Sequence, residues 1–278
     1  MYYNKTLIEN KKDMFLALFN EYKNQYDKLK EITGINSAQI IWTSGYGEPF
    51  NADYLEEISH CRCFRGKILQ RTPKDIKDHS QYHYDKDGRV ISCLEYMNGS
   101  KFSEKFYIYS LYKRIGIRYS VINDSSRLNY MIDVCNFNQE NQVVSYDMAY
   151  IDRQEGLIIE TSNVYVYDGN TMIEADSFSH YVLSNDIHLY DEDIYKNVVV
   201  KTPSIGIPHL NPEYIEHYFF HYNADGYADS YTRINYIIYN KISEHTWKIP
   251  KTLVEKQKRY NVNCFIKDNN RANKKIIN

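Results

Sequence analysis

Apolar and polar residues alternate with a period of two along much of the chain, most clearly in Tyr82 to Met97, YHYDKDGRVISCLEYM. Tyr82 and Tyr84, then Val90, Ser92, Leu94 and Tyr96, fall on alternate positions, the spacing at which side chains share one face of a strand. Asp87-Gly88 lies between the two runs. That pair predicts a hairpin, because its turn needs a positive φ that Gly accepts freely and Asp tolerates. Similar turns follow at Phe137-Asn138-Gln139-Glu140-Asn141, Tyr167-Asp168-Gly169-Asn170 and Tyr222-Asn223-Ala224-Asp225-Gly226, with weaker copies at Tyr109 and Tyr190. Each strong copy is an aromatic, then Asp or Asn, then a residue that accepts the left-handed region. The starts at 84, 109, 137, 167, 190 and 222 are spaced by 25, 28, 30, 23 and 32 residues. Such a repeat is long enough for two strands and two turns, which predicts an antiparallel meander.

The N-terminal part has a helical period instead. Ile8, Phe15, Leu18, Phe19, Tyr22, Tyr26 and Leu29 form one stripe, Thr6 and Glu9 have capping-box spacing, and Gly34 follows as a stop. A single helix over Thr6 to Thr33, roughly 40 Å long, is expected to pack on one face of the sheet. The same stripe, through Phe15, Phe19, Tyr22 and Tyr26, is where a homodimer would form. Ile40-Ile41-Trp42 reads as a short strand, and Pro49 to His60 as a short helix opened by its proline. Pro203, Pro208 and Pro212 interrupt the strands with a crossing loop, since each proline removes a ladder donor. The expected fold is therefore α+β and mainly β: a large antiparallel meander of repeated hairpins with a long N-terminal helix on one face. We read residues 1–278 as one domain, with a helix over 1–34, a strand and helix in 35–80, the hairpin array over 81–247 and a basic segment over 248–278.

Composition sharpens this picture. The 278 residues include 29 Tyr, a residue suited to half-buried pleated surface with its hydroxyl reaching water. The net charge is only −2, but residues 248–278 hold 9 Lys+Arg against Glu255 and Asp268, so the remainder carries −9. The basic end reads as a solvated terminus, and a nucleic-acid partner is not expected without an arginine-rich block. The N-terminal stretch lacks an apolar core of signal-peptide length, and no run approaches a membrane helix, which points to a cytoplasmic location with no membrane partner. Cys61, Cys63, Cys93, Cys135 and Cys264 are odd in number and irregularly spaced, which suits reduced thiols.

The heptapeptide Tyr84-Asp85-Lys86-Asp87-Gly88-Arg89-Val90 resembles the core of the YD repeat of Rhs-type and teneurin-like proteins, Tyr-Asp-x-x-Gly-Arg followed by an aliphatic residue. The resemblance implies a hairpin array, extends in outline over Gln81 to Trp247, and brings no catalytic residue with it.

Candidate chemistry is sparse. His79/His83 and His217/His221 have the spacing of helical metal ligands, but their flanking alternation makes them strand residues. Four residues of strand span about 13 Å, too far for two ligands each about 2 Å from one ion. His60, Cys61 and Cys63 lack an evident fourth ligand. Ser44 to Gly47 lacks the Lys-Ser/Thr continuation of a phosphate loop, and no nucleophile elbow, paired-His protease helix or dinucleotide fingerprint occurs. No metal or cofactor is expected. The most informative feature is electrostatic: between Arg153 and Lys196 there is no Lys or Arg, while nine acids are interleaved with aromatics. Tyr165, Tyr167, Asp168, Glu174, Asp176, Asp186, Tyr190, Asp191, Glu192 and Asp193 are the candidate partner-binding residues. An acidic face with nothing nearby to neutralise it would steer a basic partner, and tyrosine adds anchoring area. The expected function is thus non-catalytic protein binding, in the form of an immunity-type protein of a bacterial toxin system that blocks a basic toxin. The alternative is a small enzyme or ligand-binding protein with its site in a concave sheet pocket.

Overall fold

The computed structural model describes residues 5–44, 55, 67–69, 71–121, 129–152, 156–184, 214–237, 240–249, 251 and 254. Two helices, α1 (Lys5–Tyr22) and α2 (Tyr26–Asn36), precede thirteen strands: β1 (Gln39–Ser44), β2 (Lys67–Leu69), β3 (His79–Tyr84), β4 (Val90–Met97), β5 (Ser100–Ser110), β6 (Lys113–Ser120), β7 (Asn129–Phe137), β8 (Val143–Asp152), β9 (Gly156–Asp168), β10 (Thr171–Ser184), β11 (Tyr214–Tyr222), β12 (Ala228–Ile237) and β13 (Asn240–Lys248). They form one antiparallel sheet in the order β13 to β3 followed by β1 and β2, so the chain is a meander except where β1 sits between β3 and β2. The short helix expected over Pro49 to His60, the proline-rich crossing loop and the basic terminal segment lie outside the described residues, save for isolated positions.

Three of the turns predicted from sequence share one construction. Asp85 Oδ1 accepts the N–H groups of Asp87 and Arg89 at 2.9 and 2.8 Å. Asn138 Oδ1 takes those of Glu140 and Gln142 at 3.1 and 2.9 Å, and Asn223 Oδ1 those of Asp225 and Tyr227 at 3.0 and 3.1 Å. The fourth residue of each turn has positive φ: Gly88 at 77°, Asn141 at 58° and Gly226 at 79°. An Asx side chain thus stands in for a backbone acceptor, while Gly or Asn supplies the left-handed residue. Because consecutive strands pair, the β3–β4, β5–β6, β7–β8, β9–β10 and β11–β12 turns all lie at the same end of the sheet.

At that end, neighbouring hairpins splay apart. The β4–β5 ladder stops at Ser92↔Phe106, the β8–β9 ladder at Ser145↔Val164 and the β10–β11 ladder at Glu174↔Phe219, each short of the turn. A tyrosine from the end of one hairpin bridges each gap. Tyr109 donates its hydroxyl to the Val90 carbonyl at 2.9 Å, Tyr167 to that of Val143 at 2.7 Å, and Tyr222 to that of Met172. The exception explains itself: β6 and β7 stay paired to Lys113↔Asn136, the Phe137 N–H reaches the Tyr112 carbonyl at 2.9 Å, and the residue at the corresponding place is a phenylalanine. The aromatic before each turn carries a hydroxyl where the backbone ladder is missing.

Both faces of the sheet contribute to the core. The helices bury Phe15, Leu18, Phe19, Tyr26 and Leu29 against Phe106, Ile117, Tyr119, Ile132, Val134, Ala149, Leu157 and Ile159. Lys11 anchors α1 through a 2.6 Å bridge to Asp147, which also accepts the Ser162 hydroxyl at 2.5 Å. The single helix expected over Thr6 to Thr33 is instead broken between Tyr22 and Tyr26. In a continuous helix the Tyr22 carbonyl would accept the Tyr26 N–H; here it takes the hydroxyl of Tyr119 and the Gln25 N–H at 3.2 Å. Tyr26 meets Phe106 and Tyr119 edge-on, with ring centroids 5.6 and 5.4 Å away. The chain therefore bends to bring α2 onto β5. Gly34 is not the stop expected of it: the helix runs on to Asn36, whose side chain donates to the Ile32 carbonyl at 2.8 Å.

The face away from the helices holds a buried ionic cluster. Asp133 on β7 is fully buried and is 2.6 Å from Lys105 Nζ on β5 and 3.0 Å from Arg114 on β6, while Glu95 on β4 meets Arg118 at 3.3 Å. Burial works to raise the Asp133 carboxyl, but the Lys105 and Arg114 cations hold it below the ordinary carboxylate range. Gly116 makes room for the pairing, since a Cβ there would lie 2.2 Å from Asp133 Oδ2 and 2.6 Å from Lys105 Cε. Gly116→Ala is therefore expected to force the buried bridge apart and to cost about 3 kcal/mol in urea denaturation. Asp133→Asn, which removes the negative charge that Lys105 and Arg114 share, should cost at least as much.

Candidate binding groove at the first seam

The first splayed seam opens into a groove. α2 leans over it with Leu29, Ile32, Thr33, Ile35 and Asn36, the β3–β4 turn contributes Asp85, Lys86, Asp87 and Arg89, and Ile91 with Phe106 to Tyr109 forms the floor. The cavity measures about 710 Å³. Its apolar side is unusually exposed for a folded protein, with Ile32 at 45%, Ile35 at 75% and nearby Ile40 at 50% of full accessibility. The reason lies in the helix period. Leu29 turns inward onto β5, whereas Ile32 and Ile35 are carried round to the outer side of α2.

The rim is charged but internally compensated. Arg89 bridges Asp85 at 2.8 Å and Asp87 at 3.0 Å, and lies over the Tyr109 ring at 5.5 Å. The β3–β4 hairpin therefore uses its arginine to stiffen its own turn and cover the tyrosine that closes the seam. At the end of α2, Ser37 Oγ and His83 Nδ1 are 3.0 Å apart, and the Ala38 N–H donates to the Tyr84 carbonyl at 2.8 Å. Burial holds His83 below its ordinary imidazole value, against an opposing pull from Glu104.

No family model matches the chain, and no curated protein matches it. Among solved structures it is similar to a Bacteroides fragilis protein of unknown function, known from a crystal structure at 1.90 Å, with 16% identity over 36% of this chain and 80% of that one and a TM-score of 0.30.

The residues singled out from sequence have separate fates. Tyr165 is 3% exposed and packs among Met172, Ala175, Tyr218 and Tyr231, its hydroxyl taking a bond from Asn163 at 3.1 Å. Asp176 is fully buried and bonded to His217 Nδ1, and Glu174 lies 3.8 Å from Nε2 of the same ring. Tyr165 and Asp176 thus belong to the interior, and Asp176 does have a hydrogen-bonding partner. It comes from β11, 41 residues along the chain and outside the window that looked unopposed. Tyr167 is half-buried and closes the β8–β9 seam, while Asp168 is exposed at its turn. Asp186, Tyr190, Asp191, Glu192 and Asp193 lie outside the described residues. His79 and His83 stand on β3, and His217 and His221 on β11, as strand residues. Among the described residues no group of His, Cys, Asp and Glu is placed to hold a metal ion. The Cys135 thiol is pushed up by burial to about 12, which leaves it protonated and unreactive at neutral pH. No helix among the described residues is long and apolar enough to cross a membrane.

The groove was not legible in sequence because the apolar stripe ended at Leu29 and left Ile32 and Ile35 out, and because the end of a ladder leaves no mark in composition. The exposed isoleucines beyond Leu29, out of phase with the buried stripe, were the available signal.

The His83 shift gives a pH prediction with a definite sign. Its folded value lies below the unfolded one, so the unfolded chain binds the proton more readily and stability is lost as pH falls through the ordinary imidazole range, near 6.5. Urea midpoints should decline between roughly pH 7 and 5, and His83→Gln should flatten that part of the profile.

Proposed function

We propose that this is a non-catalytic protein-binding protein that receives an apolar segment of its partner in the groove between α2 and the β3–β4 turn. One observation carries the reading: Ile32 and Ile35 stay exposed beside a recess of about 710 Å³ on whose rim Arg89 is already paired with Asp85 and Asp87. A surface of that kind gains from burying area against a partner. The partner that fits the whole molecule is basic, because residues 1–247 carry 25 Lys+Arg against 34 Asp+Glu. Such a field speeds encounter, and the groove then holds the complex. An immunity-type protein that blocks a basic toxin is the concrete form of this reading, with exposed Asp168 and the acids at 186 and 191–193 as steering charges.

A second reading has its own support. The volume falls within the range of small-molecule sites, about 300–1,000 Å³, and the floor of Ile91, Phe106 and Ile108 would suit an apolar ligand.

A photo-crosslinking residue at Ile35 separates the two. The first reading expects a covalent adduct with a basic protein in cells, lost when Ile32→Asp is added and formed more slowly when Asp191, Glu192 and Asp193 are changed to Lys. Absence of any protein adduct, together with saturable uptake of an apolar fluorescent probe that Ile35→Asp abolishes, would replace it with the second.

A further inference from the structure

The sheet ends in β13, which among the described residues pairs only with β12. Its residues Lys241, Ile242, Glu244, His245, Thr246, Trp247 and Lys248 are all exposed, Ile242 at 51% and Trp247 at 48%. Exposed edge strands with apolar side chains are templates for pairing with another strand.

Which backbone groups face outward follows from the β12 contact. The Ile249 N–H donates to the Asp229 carbonyl at 2.8 Å, in register with Ser230↔Lys248 and Tyr231↔Trp247. The N–H and C=O groups of a strand point to alternate sides. Odd-numbered residues from Ser243 to Ile249 therefore face β12, and Glu244, Thr246 and Lys248 present theirs to solvent. The bulge between Asn235 and Tyr236 in the pairing places Ile242 outside this regular stretch.

We propose that β13 pairs antiparallel with β13 of a second copy of this chain, with Thr246 opposite Thr246 on the two-fold axis. The geometry restricts the choice. Outward-facing residues can only meet outward-facing residues, so the axis passes through Glu244, His245, Thr246 or a point farther along. An axis at Glu244 sets that carboxylate against its own copy, and one at Lys248 does the same for two ammonium groups. An axis at His245 puts Glu244 opposite Thr246, and one at Trp247 puts Lys248 opposite Thr246; both leave the charges unmatched. With the axis at Thr246, Glu244 faces Lys248 of the second copy twice over, and Trp247 lies opposite His245 twice. Like charges directly opposite destabilise a ladder and unlike charges support it. Glu244 also touches Lys241 of its own strand, but an exposed pair of that kind contributes little and does not compete with a cross-strand partner. The resulting ladder covers residues 243–249 of each copy, so the dimer is weak and concentration-dependent.

Sedimentation across a concentration series of the full chain tests this. The wild type should show a reversible monomer–dimer equilibrium. Thr246→Pro removes an outward-facing donor at the axis, a position where an edge strand tolerates proline, and should weaken association about tenfold or more. Glu244→Lys and Lys248→Glu should each weaken it, and the double variant Glu244→Lys/Lys248→Glu should restore it. That rescue depends on register alone and remains decisive if Thr246→Pro fails to fold. A wild type that stays monomeric at every concentration, or a dimer that ignores the single reversals, overturns the proposal.

Discussion

Five tandem hairpins hold together because the gaps between them are closed near the turns, and three of those closures are single tyrosine hydroxyls. Backbone ladders join strands along most of the sheet, but between β4 and β5, β8 and β9, and β10 and β11 they end before the turn. Beyond those points the strands would expose backbone groups and part company. Tyr109, Tyr167 and Tyr222 each span such a gap and satisfy a carbonyl at the start of the preceding hairpin's second strand. A buried or half-buried carbonyl without a donor is costly, so the hydroxyl is worth more there than in water. The abundance of tyrosine follows in part from this task.

The same splaying produces the groove. Where α2 rests on β5, the widened first seam becomes a recess with an apolar floor, and the Asp85–Arg89–Asp87 bridges keep the turn rigid at its mouth. On the far face, Lys105, Arg114 and Asp133 tie β5, β6 and β7 together next to that opening. The recess is thus framed by a fixed turn on one side and a fixed trio of strands on the other. Such support favours binding without rearrangement.

Most of the hairpins were legible in sequence because their turns are local: Asx, then Gly or Asn within five residues, marks those of β3–β4, β7–β8, β9–β10 and β11–β12. Strand identity followed from alternation, and the meander from the repeat spacing. What could not be read was anything settled by a neighbour in space. The break at Tyr22 depends on a hydroxyl from Tyr119, 97 residues away. The burial of Asp176 depends on His217, and that of Tyr165 on Tyr218 and Tyr231 from strands far along the chain. An acidic window defined by sequence neighbours therefore includes a carboxylate, Asp176, that the sheet buries. The placement of β1 between β3 and β2 is likewise a long-range choice.

Residue-resolved amide hydrogen exchange on Tyr109→Phe, Tyr167→Phe and Tyr222→Phe bears most directly on the seam account. Each change removes one hydroxyl and no packing, so each should accelerate exchange roughly fivefold at its own seam while leaving the other two seams near wild type. Phe137→Leu, at the seam that the backbone closes, should show no such local opening. Exchange that is unchanged in all three tyrosine variants, or raised evenly across the sheet, would contradict the claim that these hydroxyls join the hairpins.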